Sequence, residues 1–288
     1  MVRQLLASST PFLPPGSWVF IDWVSSQREP DRGWDAAEKE SALQILFFQA
    51  LEAAARLAER QGDGELASSC RRRAGELRER LLTAFDPRRG LFPANPARPE
   101  LGFYRHANIL AVLSGLAEPA MARAVMEKLR DDELPPVGTP YQAALEILAF
   151  HRAGLDETAL ARLRNIWGGM LRQGATTFFE AYDASQTGNG RYAFYQRPYG
   201  LSLCHAWSAG PAALLPILFF GCEPAADGWR AFRRAPSALC RGNEAATIPT
   251  PAGAIRLWME NGRLREEFPP EITPESPADG ADPVRRDG

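Results

Sequence analysis

The chain has 288 residues, with 33 basic and 35 acidic side chains and a formal net charge of −2. That length suits one large domain or two small ones, and 45% hydrophobic with 24% charged residues is ordinary for a folded protein with a core. The charge balance excludes a nucleic-acid binder working through a basic face; seven Trp and fifteen Phe exclude a mostly disordered chain; no run approaches about 18 apolar residues, so no membrane-spanning helix is expected.

Residues 1–37 read as an irregular, aromatic-rich lead-in. Pro11, Pro14, Pro15, Gly16, Pro30 and Gly33 break regular structure, and Trp18, Phe20 and Trp23 cluster around Asp22. The opening residues lack the apolar core of a secretion signal, so a cytoplasmic location is expected. From residue 38 the pattern turns helical. The first helix is expected from Glu38 to Gln61, capped by Asp35, with Ala42, Leu43, Leu46, Ala50, Leu51, Ala54, Leu57 and Ala58 as its apolar face. Gly62-Asp63-Gly64 ends it, and a second helix follows with Leu66, Cys70, Ala74, Leu77, Leu81 and Phe85 inward. So short a link forces the two antiparallel.

The hairpin pattern recurs twice. Phe103–Leu116 is followed by a helix starting at Glu118-Pro119. Thr139-Pro140-Tyr141-Gln142 is a strong start signal, with a Thr cap and Pro in the first turn, for a helix ending at Gly154. Asp156 is expected to cap its partner, which runs to Gly174. Residues 174–200 then break the rhythm with a long polar, glycine-rich and aromatic loop, of a kind that is usually functional. SLCHAWSAGPAALLPILFFG reads as a last buried helix kinked at Gly210-Pro211. AIRLWME and RLREEF alternate about Asn261-Gly262, a two-residue hairpin turn. The expected organisation is therefore a lead-in (1–37), an all-α hairpin domain (38–245), a β hairpin (246–268) and a disordered tail (269–288).

Three places carry candidate chemistry. Glu180 follows Gly174-Ala175-Thr176-Thr177-Phe178-Phe179, where small residues admit a ligand, hydroxyls bond it, and the two rings could wall the carboxylate for acid–base work. A solvated loop glutamate explains the same residues. His205 lies beside Trp207 at the start of the last helix, where a buried core histidine is the plainer reading. Asp22 with Trp18, Trp23 and Trp34 suits a sugar, whose C–H face stacks on indole, and suits equally a rim of tryptophans packing a helical core. His106 and His151 sit on ordinary helices and read as structural. Cys70, Cys204, Cys222 and Cys240 form no CxxC and have no histidines at zinc spacing, so reduced thiols and no metal site are expected.

FIDW at 20–23, TPY at 139–141, IWGGMLRQGATTFFE at 166–180, SLCHAWSAGP at 202–211 and PTPAGAIRL at 249–257 occur in one order and spacing. In these segments the chain resembles the C-terminal part of the catalytic region of bacterial α-L-rhamnosidases, glycoside hydrolase family 78, over roughly residues 12–265. The resemblance implies an (α/α)6 toroid, an inverting hydrolase releasing terminal L-rhamnose, and no cofactor. It makes Glu180 the general base and His205, Trp207, Asp22 and Trp23 sugar-pocket residues, all expected to open on one concave surface. The family's general acid lies in a motif upstream of FIDW, and the toroid has twelve helices against about seven here. The resemblance thus implies an incomplete domain lacking the acid, whose partners would be a rhamnose-containing glycoside and an upstream half-barrel polypeptide or a second copy. A non-catalytic sugar-binding or interaction protein built on the same hairpins is the alternative, and a six-hairpin enzyme for another sugar is a third.

Overall fold

Amphipathic helices with a short polar link between them bury their apolar faces against each other, and this chain does so three times in succession. The computed structural model describes residue 6 and residues 19–22, 36–131, 134–195 and 197–275. Trp18, Trp23, Trp34 and Asp35 lie outside the described residues. A 3-10 turn over Ala36–Lys39 leads into α1 (Glu40–Arg60), two residues later than the periodicity predicts. Asp63 caps α2 (Gly64–Thr83), accepting from the Leu66 N–H at 3.0 Å. The second hairpin is α3 (Arg105–Leu113) with α4 (Pro119–Asp131), and the third α5 (Pro140–Arg152) with α6 (Asp156–Arg172). Thr139 caps α5 as the sequence implies, accepting from the Gln142 N–H at 3.3 Å. Asp156 is not the cap of α6 but its first residue; its carboxylate meets His151 Nδ1 at 2.7 Å.

Helix α1 corrects the expected face. The buried apolar residues are Ala42, Ile45, Phe48, Leu51, Ala55 and Ala58, while Leu46 and Leu57 are exposed. Both stripes are apolar, and the neighbours α2 and α3 decide which one is covered. Helices α1, α3 and α5 pack side by side in chain order, each backed by its hairpin partner. The last helix, α7 (Gly210–Phe220), closes against α5 and α6. It is shorter than predicted: Gly210-Pro211 begins it rather than kinking it, and only a 3-10 turn at Ala206–Ser208 precedes it. Proline without its N–H is suited to a first turn, where that donor has no partner anyway. Gly210 is required by close packing, since a Cβ there would lie 2.6 Å from that of Ala144 on α5.

A buried ion cluster that local patterning did not signal ties the hairpins together. Glu146 on α5 is wholly buried; Arg105 of α3 donates to its Oε1 at 2.8 Å, and Arg162 of α6 donates to its Oε2 at 2.7 Å. The C-terminal region holds more strand than expected. Strands β1 (Glu223–Pro224), β2 (Ala231–Arg233) and β6 (Thr273–Glu275) form one sheet, with β2 and β6 parallel. Strands β3 (Ala245–Thr250), β4 (Gly253–Glu260) and β5 (Arg263–Glu267) form an antiparallel meander. The predicted turn stands at Asn261-Gly262, both with positive φ (51° and 72°). Phe220, Cys222, Phe232, Ile248, Ile255, Leu257 and Ile272 make a second core. The expected single hairpin is thus two three-stranded sheets, and the tail expected to be disordered from 269 contributes buried Ile272 and strand β6. Residues 276–288 lie outside the described part. Among the described residues no helix is long and apolar enough to cross a membrane.

Candidate active site

The site is built where two extended segments meet beyond the ends of α6 and before α7. The Glu180 N–H donates to the Ser202 carbonyl at 2.9 Å, the His205 N–H donates to the Phe178 carbonyl at 2.8 Å, and the Thr177 hydroxyl donates to the Leu203 carbonyl. This pairing sets the 177–180 stretch beside 202–205, so Glu180 and His205 come from segments distant in sequence but adjacent in space. The loop between them is pinned by the Leu201 N–H on the Tyr192 carbonyl and by two reciprocal bonds between Phe194 and Arg197. Only glycine fits at Gly200, because a Cβ there would fall 2.1 Å from the Phe194 carbonyl oxygen.

Glu180 is 3% exposed, which removes the reading of a solvated loop carboxylate. A buried charge must be met by donors, and two are aimed at it. Oε2 accepts from the Ser202 N–H at 3.1 Å, and Oε1 accepts from the Tyr195 hydroxyl at 2.5 Å. His205 Nε2 stands 3.9 Å from the same Oε1, too far for a direct hydrogen bond. The His205 side chain is 33% exposed, so it is not the buried core histidine of the plainer reading. Its ring lies 4.3 Å from that of Trp207, centroid to centroid, and the Trp207 indole N–H donates to the Glu180 carbonyl at 3.1 Å. Trp207 also stacks on Tyr141, the second residue of α5, at 6.4 Å. Tyr141, Phe178 and Tyr195 are exposed. Of the two rings before Glu180, Phe179 is buried in the helical core.

Glu180, His205 and Trp207 are therefore brought together. Asp22 is not brought in as an open-faced group. Its side chain has no exposed surface; Thr139 donates to Oδ1 at 2.6 Å, the Gly138 N–H donates to Oδ2 at 3.3 Å, and His106 Nε2 lies 3.3 Å from Oδ2. With those partners it anchors the start of α5, whose Tyr141 stacks on Trp207. Trp23 lies outside the described residues. Tyr141, in the TPY segment, and Tyr195, in the aromatic loop, carry no local mark that sets them apart from their aromatic neighbours. Among the described residues no cluster of His, Cys, Asp and Glu is arranged to hold a metal ion.

Residues 12–217, most of the chain and all the helical hairpins, match the family model for the bacterial alpha-L-rhamnosidase 6 hairpin glycosidase domain. The chain belongs to this rhamnosidase family. Its fold recurs in the GH78 family rhamnosidase of Bacillus sp. GL1, with a TM-score of 0.70 and 24% identity over 89% of this chain and 27% of that one. The rhamnosidase from Klebsiella oxytoca, solved with rhamnose bound, is 31% identical over 73% of this chain and 39% of that one, with a TM-score of 0.59. The Streptomyces avermitilis alpha-L-rhamnosidase, complexed with L-rhamnose, matches 95% of this chain and 26% of its own at a TM-score of 0.67 and 22% identity. This rhamnosidase-family chain thus spans between about a quarter and two-fifths of the length of these structures. No curated protein sequence matches it.

Proposed function

We propose that this chain carries the general-base half of an inverting α-L-rhamnosidase site in a six-hairpin toroid, acting on terminal L-rhamnose of a glycoside. The observation that carries the reading is a buried carboxylate, Glu180, with Tyr195 and Ser202 donors on it and a partly exposed histidine 3.9 Å away. An oxygen lodged between Glu180 Oε1 and His205 Nε2 at about 2.8 Å from each would bridge that span. In the mechanism, a water there gives its proton to Glu180 as it attacks the anomeric carbon, and the leaving group departs from the opposite face. Each carboxylate oxygen has a second lone pair, so the two existing donors leave an acceptor site for that proton. Trp207 and Tyr141 offer ring faces to the sugar, and His205 orients one of its hydroxyls.

An inverting reaction also needs a general acid on the leaving-group side. In this reading a segment other than those that build this site supplies it. The experiment follows from that division of labour. α-L-Rhamnosyl fluoride loses fluoride without help from an acid, so it tests the base alone; an aryl α-L-rhamnoside tests both groups. The chain is expected to hydrolyse the fluoride with inversion and the aryl glycoside more slowly by about 10²–10⁴. Glu180→Gln should remove hydrolysis of the fluoride while L-rhamnose still binds. Hydrolysis of the fluoride that survives Glu180→Gln sinks the base assignment. Both Glu180 oxygens are already engaged by protein donors, which favours a second reading, a sugar-binding protein without turnover. Rhamnose binding with no hydrolysis of the fluoride would select it.

A further inference from the structure

Tyr195 has an uncommon backbone and an uncommon partner. Its φ is +49°, a left-handed conformation that a bulky aromatic residue rarely adopts. It stands at the first central position of the tight turn closed by the Phe194–Arg197 bonds, where the hairpin twist calls for a positive φ. The turn is braced from behind by Gly200, whose missing Cβ lets the Phe194 carbonyl come close, and by the edge-to-face contact of the Phe194 and Tyr195 rings at 4.4 Å. An ordinary turn would use Asn or Gly there at no steric cost. The side chain that the turn carries instead delivers its hydroxyl to Glu180 Oε1. A backbone outlier whose side chain ends on a buried carboxylate is the kind of local strain that collects at functional sites.

We infer that Tyr195 is a positioning residue for Glu180, holding the carboxylate in the orientation that turns Oε1 toward His205. The inference rests on the reading of Glu180 as the base. Two fixed donors suit this task. The Ser202 N–H holds Oε2 from the neighbouring segment, and Tyr195 holds Oε1 from the loop, so the carboxylate is clamped at both ends and cannot rotate about its last bond without losing a charge-assisted bond. The Tyr195 side chain is 42% exposed although its hydroxyl ends on a carboxylate that is 3% exposed.

The test uses Tyr195→Phe, which keeps the ring and removes only the hydroxyl, and the full chain carrying 3-fluorotyrosine at position 195, which keeps a donor. With α-L-rhamnosyl fluoride, Tyr195→Phe should lower kcat about tenfold, the scale of one lost bond to a charged group, with KM within about twofold. The fluorinated chain should retain kcat within about threefold. An unchanged kcat in Tyr195→Phe, or a loss that falls on KM alone, overturns the inference. A second readout needs no turnover. The Glu180 carboxylate stretch, isolated as the infrared difference between the wild-type chain and Glu180→Gln, should move in Tyr195→Phe and stay near its place in the fluorinated chain. An unmoved band overturns the hold of Tyr195 on the carboxylate whatever the kinetics. A moved band in a chain that does not hydrolyse the fluoride leaves that hold standing and removes the base reading instead.

Discussion

Single side chains in this protein are decided by who stands opposite them. The four cysteines illustrate it. All are free thiols, but Cys204 is exposed beside the site while Cys222 is buried under the C-terminal sheets. Burial pushes the Cys222 thiol up from 9.0 to about 12, with the nearby Glu223 charge adding to the shift. Reaction with a small disulfide reagent at pH 8 should therefore modify Cys204 quickly and leave Cys222 intact until the protein unfolds; rapid labelling of Cys222 in the native chain would contradict its burial. The same shift has a sign for stability. The folded chain keeps the thiol proton that the unfolded chain gives up near 9, so stability should fall as pH rises between about 9 and 12. Urea midpoints across that range should flatten in Cys222→Ala. Gly169 makes the companion case in packing: a Cβ there would meet the Tyr182 ring at 2.1 Å. Gly169→Ala should cost about 1–3 kcal/mol in denaturant unfolding, and combination with Tyr182→Ala should recover part of it.

At the scale of elements, the start of α5 joins the helical frame to the site. Thr139 both caps the helix and donates to Asp22, and two residues later Tyr141 stacks on Trp207. Thr139→Ala should destabilise the chain by about 1–2 kcal/mol through the lost cap, with a further loss because buried Asp22 forfeits its closest donor. Thr139→Ser, which keeps the hydroxyl, should restore most of it, and equal losses in both variants would dismiss the bond to Asp22. The Arg105–Glu146–Arg162 cluster staples α3, α5 and α6 by another route. Glu146→Gln leaves a buried guanidinium without its counter-charge and should cost about 3 kcal/mol by urea titration. A neutral outcome would mean that Arg105 finds water or another partner when the charge is gone.

For the whole molecule, successive antiparallel hairpins with α1, α3, α5 and α7 adjacent in order place the loop ends of α6 and α7 where Glu180 and His205 meet. Far-UV circular dichroism should be dominated by helix with a smaller β contribution from the two C-terminal sheets. A spectrum dominated by β structure would contradict the arrangement.

What the sequence determined by itself is what local chemistry controls. Apolar periodicity announced seven helices, and seven α-helices stand among the described residues from 36 to 275. Thr139 was recognisable as a cap because a cap bonds to residues only three positions away, and Gly62-Asp63-Gly64 as a helix end. Asn261-Gly262 was recognisable as a turn because it needs two positive φ values in a row. The segments around Glu180 and His205 were recognisable as unusual because they interrupt the helical rhythm. The tertiary structure decided everything that depends on partners far away along the chain. Both stripes of α1 were apolar, and only packing against α2 and α3 chose between them. Asp22 lies 117 positions from Thr139, and no local pattern could show that its carboxylate accepts from the residue that caps α5. Strands β1 and β6 are two and three residues long, too short to show a period, and exist because β2 lies between them. Tyr195 reads as one aromatic among several in a loop; its meeting with Glu180 depends on a turn closed by Phe194 and Arg197 and on the close approach that Gly200 permits.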